Sequence, residues 1–135
     1  MKIFSILVAG MMFFGAAIAN AQMGDDTVYE LRTYTTNEGK LDDLHARFRD
    51  DTIGLFNTHG MTSLGYWTPV DKPNTLIYVI SHASLDQAKK NWQAFINDPD
   101  WKVVAERTNA NGPILAKTPE SVYMKATDYS LDMLK

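Results

Sequence analysis

Polar and apolar residues alternate with a period of two from Thr27 to Thr35, in a stretch rich in β-branched and aromatic side chains, and this predicts a strand. Glu30, Arg32 and Tyr34 fall on one side of it; Tyr29, Leu31 and Thr33 fall on the other. The alternation breaks over residues 36–40, where Asn37 is placed to cap a helix. Leu41, Leu44, Phe48, Thr52, Leu55 and Phe56 then recur at three- and four-residue steps, the stripe of one amphipathic helix, with Asp42, Asp43, Arg47, Asp50 and Asp51 outside it. Gly54 marks a bend or close packing within that helix, and Gly60 stands where a left-handed C-cap is needed. Residues 61–68 predict a second strand with Thr62, Leu64, Tyr66 and Thr68 on one face and Met61, Ser63, Gly65 and Trp67 on the other, ended by Pro69. The turn-rich segment 69–74 leads into a third strand over 75–82, "TLIYVISH". Ser84 and Gln87 form a capping box for a second helix, whose buried stripe is Leu85, Ala88, Trp92, Phe95 and Ile96. Asp98-Pro99 restarts a short helix from which Trp101, Val104 and Ala105 pack. A loop over 109–113, a last strand over 120–125 and a tail over 127–135 complete the chain.

The order β-α-β-β-α-(α)-β predicts an α+β fold, a ferredoxin-like βαββαβ sandwich with an antiparallel four-stranded sheet and helices on one face. Apolar residues occupy both faces of the strands, so one-sided helices would leave an apolar sheet face bare. Such a face marks an interface, and the expectation is a homodimer joined sheet against sheet.

The N-terminus changes the picture. Lys2 precedes an almost wholly apolar run over residues 3–18, and Ala19-Asn20-Ala21 has small residues where a signal peptidase reads. This predicts a secretory signal over residues 1–21 with cleavage before Gln22, the apolar run being short for an uncleaved spanning anchor. The mature domain would run from 22 to 126, in a periplasmic or secreted location, with no stable membrane insertion after cleavage. Without Lys2 it holds 12 basic and 16 acidic residues, a net charge of −4, which argues against nucleic acid as a partner. The chain has no cysteine, which excludes disulfides, thiolate catalysis, cysteine zinc sites and a lipid anchor on cysteine.

"YELRTYTTNEGK" (29–40), "HG" (59–60), "LGYW" (64–67) and "DPDW" (98–101), in that order and spacing, resemble the NIPSNAP family over nearly the whole mature domain. The resemblance implies membership of the dimeric α/β-barrel group, in which two ferredoxin-like protomers join their sheets. It also implies kinship with small cofactor-free monooxygenases, haem-handling proteins and muconolactone isomerase-like enzymes. The family often carries arginines in helix two, where this chain has Lys89 and Lys90.

Candidate chemistry is sparse. Glu30, Arg32 and Tyr34 read either as a structural pair within the sheet or as a site, with Arg32 anchoring a substrate carboxylate and Tyr34 donating a hydrogen bond. His59 ends helix one, where it can satisfy the last carbonyls or serve as a general base or axial ligand. His82 is expected at the rim, and His45 beside the core. Tyr66, Trp67, Tyr78 and Trp92 can line a pocket for a flat ligand or pack core and interface. No metal site is expected from three histidines without ligand spacing, and no cofactor is called for. Three functions follow: a small-ligand-binding or interaction protein; a cofactor-independent oxygenase or isomerase with His59, Tyr34 and Tyr66 catalytic and Arg32, Trp67, Tyr78 and Trp92 binding; or a haem-binding protein using His59 or His82.

Overall fold

The computed structural model describes residues 26–131. The expected signal segment, its cleavage point and residues 132–135 of the tail lie outside the described residues. Strand β1 (Val28–Thr35) is followed by helix α1 (Leu41–Arg47), a π-helical turn (Phe48–Thr52) and helix α2 (Ile53–Thr58). Then come β2 (Thr62–Trp67), β3 (Thr75–His82), α3 (Leu85–Asn97), α4 (Pro99–Thr108) and β4 (Glu120–Met124). The strands form one antiparallel sheet in the order β2-β3-β1-β4. This is the ferredoxin-like α+β arrangement that the hydrophobic pattern predicts. Among the described residues no helix is long and apolar enough to cross a membrane.

Register fixes which side chains meet the helices. Glu30, Arg32 and Tyr34 pair with Ile80, Tyr78 and Leu76, and all six lie on the helix-covered face. There Leu44, Phe48, Phe56, Met61, Leu76, Tyr78, Ile80, Phe95 and Ile114 make the core. The polar face of β1 is thus buried, not solvated. Leu31, Thr33, Ile77, Val79, Val122 and Trp67 face the opposite way.

Three local expectations are corrected. Asn37 does not cap α1; its amide instead donates to the carbonyls of Pro113 and Leu115, tying β1 to the loop before β4. The alternation of β2 is interrupted by a bulge at Leu64, between the pairs Ser63–Ile80 and Gly65–Val79. Ser63 and Tyr66 therefore share the core face and are joined by a 2.7 Å hydroxyl–hydroxyl hydrogen bond. Trp67 goes to the outer face with its ring lying over Gly65, where a Cβ would come within 2.4 Å of it. The helix after β1 is also not uniform. The amide of Ile53 bonds back five residues to Phe48, and the Thr52 hydroxyl donates to the Arg47 carbonyl at 3.2 Å. The wider turn brings Arg47 inward beside Phe48 and Thr52, and only 5 % of Arg47 remains exposed although the helical stripe leaves it outside.

Candidate functional site

Glu30 is the hub of the buried polar face. Its side chain is fully buried, and every hydrogen bond to it comes from a different element or neighbour. Oε1 accepts from Arg32 Nη1 at 2.9 Å and from Ser121 Oγ of β4 at 2.6 Å. Oε2 accepts from Trp92 Nε1 of α3 at 2.6 Å and from His82 Nε2 of β3 at 2.8 Å. Burial alone would raise the Glu30 pKa, but the hydrogen bonds from His82, Ser121 and Trp92 and the Arg32 charge bring it down to about 2.

His82 also departs from its expected place. It is fully buried and not at the rim. Asn91 Nδ2 lies 3.2 Å from its Nδ1 and also donates to the Gly60 carbonyl, while Asn91 Oδ1 accepts from Gln87. A carbonyl can only accept, so the Asn91 amide orientation is set, its NH2 faces Nδ1, and the proton of His82 sits on Nε2 toward Glu30. Both ring nitrogens are taken. The position of Asn91 on α3, one turn after Gln87, gives no sign of this link in the sequence.

Beside this network a cavity of about 200 Å³ opens between β1 and the helices. Arg32 and Tyr34 form its floor; Trp92, Phe95 and Trp101 form aromatic walls; Arg47 enters as the last residue of α1. The Arg32 guanidinium lies 4.2 Å from the Trp92 ring centroid, and Arg47 lies 5.5 Å from that of Trp101. Tyr34 Oη accepts from Tyr78 Oη at 3.1 Å and, at 3.4 Å, from Arg32 Nη2. Its own proton has no acceptor among the described residues.

The two arginines differ in compensation. Burial works against the charge of Arg32, but Tyr34, Tyr78 and Glu30 outweigh it and raise its pKa. Burial lowers the pKa of Arg47, and Tyr34 and Tyr78 offset that only in part. Among the described residues no carboxylate pairs with Arg47, and the Nε atoms of both arginines are buried without a hydrogen-bond partner.

The structure thus brings Arg32, Tyr34 and Trp92 to one cavity and places Tyr78, fully buried, directly behind Tyr34. It does not bring the remaining candidates there. Tyr66 stacks on Tyr78 at 5.2 Å, its pKa raised by burial, and with Trp67 and His45 lines a separate cavity of about 450 Å³ along β2. His59 stands apart, its Nε2 2.6 Å from Asp98 Oδ2 and its ring edge-on to Phe95. That pairing is the first cause of the lowered Asp98 pKa, before the amide of Asp100 that Asp98 caps. Among the described residues no cluster of three His, Asp or Glu side chains is placed to hold a metal ion.

The family model described as NIPSNAP matches residues 29–130. No curated protein matches the chain. Among solved structures, a NIPSNAP family protein with unknown function from Agrobacterium tumefaciens is similar at a TM-score of 0.67 and 21% identity, over 78% of this chain and 93% of that one. A NIPSNAP-like domain protein from Burkholderia xenovorans is similar at 0.68 and 16% identity, over 80% and 91%. SnoaB, a cofactor-independent oxygenase from Streptomyces nogalater, is similar at 0.56 and 16% identity, over 76% and 95%. At these identities the shared property is the fold.

Proposed function

The chain belongs to the NIPSNAP family, and from that premise we propose that it is an exported, homodimeric protein that binds a small molecule between β1 and the helices. The observation that carries this reading is the cavity itself: aromatic walls, a floor of Arg32 and Tyr34, and Arg47, a buried cation that no carboxylate pairs among the described residues. A buried cation without a counter-charge, lining an aromatic-walled cavity, fits a site completed by a ligand. A cavity of about 150 Å³ can hold benzene, so this one is of a size for a single ring with a small substituent. The sheet face opposite the helices, with Trp67 55 % and Val122 54 % exposed, supports the dimer.

The test is a ligand-observed NMR screen of single-ring fragments against the full-length chain and an Ile96→Trp variant, which adds bulk at a cavity-lining residue that is itself exposed. Saturable binding at one site per protomer, lost in the variant, is expected. Binding by no fragment, or binding that the variant leaves unchanged, would sink the reading. A second reading, a cofactor-independent oxygenase, draws only on the fold shared with SnoaB and on the free Tyr34 proton. Oxygen uptake with an acidic phenol as substrate, abolished by Tyr34→Phe, is its test.

A further inference from the structure

We infer that the ligand of this cavity is a small aromatic monocarboxylate, its carboxylate held by Arg47 with Tyr34 Oη as a further donor and its ring seated among Trp92, Phe95 and Trp101. The inference rests on the cavity being a ligand site and adds the charge and shape of what fills it.

Charge comes first. Arg32 and Glu30 form an ion pair at 2.9 Å, and both ring nitrogens of His82 are taken by Glu30 and Asn91. Arg47 is then the uncompensated charge of this pocket, 95 % buried and without an ion-pair or hydrogen-bond partner among the described residues. A buried unpaired cation is strongly unfavourable, and a monoanion is the ligand that cancels one such charge. A phosphate would bring nearly two negative charges and three acceptor oxygens to a pocket with one spare positive charge.

Donor geometry comes second. Arginine presents its N–H groups as a planar fork that matches a carboxylate. Arg47, which no carboxylate pairs among the described residues, and Tyr34, whose own proton is unspent, line the same space. A carboxylate has about four acceptor sites to spend on such donors.

Shape comes third. Trp92, Phe95 and Trp101 stand in a row, Trp92 perpendicular to Phe95 at 5.7 Å and Trp101 tilted on Phe95 at 4.5 Å. They offer faces and edges to a flat apolar ring. Little of the cavity's 200 Å³ remains once a benzene-sized ring and its carboxylate are inside.

The experiment is calorimetric titration of the full-length protein with benzoate, benzamide, benzyl alcohol and acetate, repeated on Arg47→Met, with melting curves of both unliganded proteins. Benzoate is expected to bind at least ~10-fold more tightly than benzamide or benzyl alcohol, and acetate to bind weakly for want of the ring. Arg47→Met keeps an unbranched apolar stem and removes the buried charge. It is expected to raise the melting temperature of the unliganded protein while erasing the preference for benzoate. Equal binding of benzoate and benzamide would overturn the monoanion and leave the cavity standing as a ligand site. Binding of none of the ring compounds would overturn both. A lowered melting temperature in Arg47→Met would show that the charge is satisfied within the protein, and would also overturn the inference. If that variant fails to fold, Arg47→Lys serves instead, expected to keep the charge, lose the fork and weaken benzoate by about tenfold.

Discussion

At the scale of single residues, Glu30 shows how a buried charge is made tolerable. Desolvation of the carboxylate is opposed by hydrogen bonds from His82, Ser121 and Trp92 and by the Arg32 ion pair. Glu30→Gln breaks the ion pair and turns an acceptor-only group into one that must also donate, toward His82 and Trp92 donors that need acceptors. A loss of about 3–5 kcal/mol, read from the urea midpoint at neutral pH, is expected. The pH dependence follows from the same pairing. Glu30 titrates near 2 in the folded chain and near 4.5 when unfolded, so its contribution is full above the unfolded value. It is lost as pH falls from about 4.5 to 2, because the unfolded state takes up the proton first. Urea midpoints measured from pH 6 to pH 2.5 should fall over that window in the native chain and less steeply in Glu30→Gln; parallel curves would show that other carboxylates govern acid unfolding. The Glu30–Arg32 pair is legible in the sequence from the alternation of β1 alone. His82 and Asn91 are not, because their link depends on β3 pairing with β1 and on the angle at which α3 crosses the sheet, neither of which leaves a local pattern.

Elements show the same division between local and long-range causes. β3 spans Thr75–His82, the bounds expected for "TLIYVISH", and the Ser84 hydroxyl accepts the Gln87 amide at 3.0 Å, as the capping box predicts. Ser84→Ala removes that acceptor from an exposed helix end and should cost about 1 kcal/mol in chemical denaturation, with ligand binding unchanged. The Gln87 side chain does not complete the box; it turns to Asn91 at 2.8 Å and so belongs to the His82 network. What could not be read were the departures from regularity. The bulge at Leu64 reverses the facing of half of β2, and the π-helical turn over Phe48–Thr52 brings Arg47 indoors. Both insert one residue into a repeat, and ideal periods of 2 and 3.6 cannot register an insertion whose cause is packing. The reading missed Arg47 for that reason, although Phe48 next to it lies on the apolar stripe. Thr52→Val removes the hydroxyl that bonds the Arg47 carbonyl and should cost about 1 kcal/mol, with a weaker affinity for benzoate as the turn relaxes. An unchanged affinity would show that the turn is held by backbone bonding and packing without that hydroxyl.

For the whole molecule, the sheet separates two tasks. Its covered face carries the Glu30 network and the cavity; its other face carries Leu31, Ile77, Val79, Val122 and Trp67. In the homodimer we propose, that second face meets its copy, and a stable interface needs about 800 Å² from each partner, close to what a four-stranded sheet face offers. Val122 is the residue to test. It lies opposite Leu31 on the edge strand β4 and is 54 % exposed, so a charge there disturbs the protomer core little. Val122→Glu would place two carboxylates near each other across a symmetric apolar contact, an arrangement costing several kcal/mol. Light scattering after size exclusion is expected to give a dimer for the native chain and a monomer for Val122→Glu at micromolar concentration, while benzoate affinity stays within twofold because the cavity opens on the other side of the sheet. A native chain that runs as a monomer would end the dimer proposal. A monomeric Val122→Glu that no longer binds benzoate would mean that the two faces are coupled, the partner holding the sheet in the curvature on which Arg32 and Tyr34 depend.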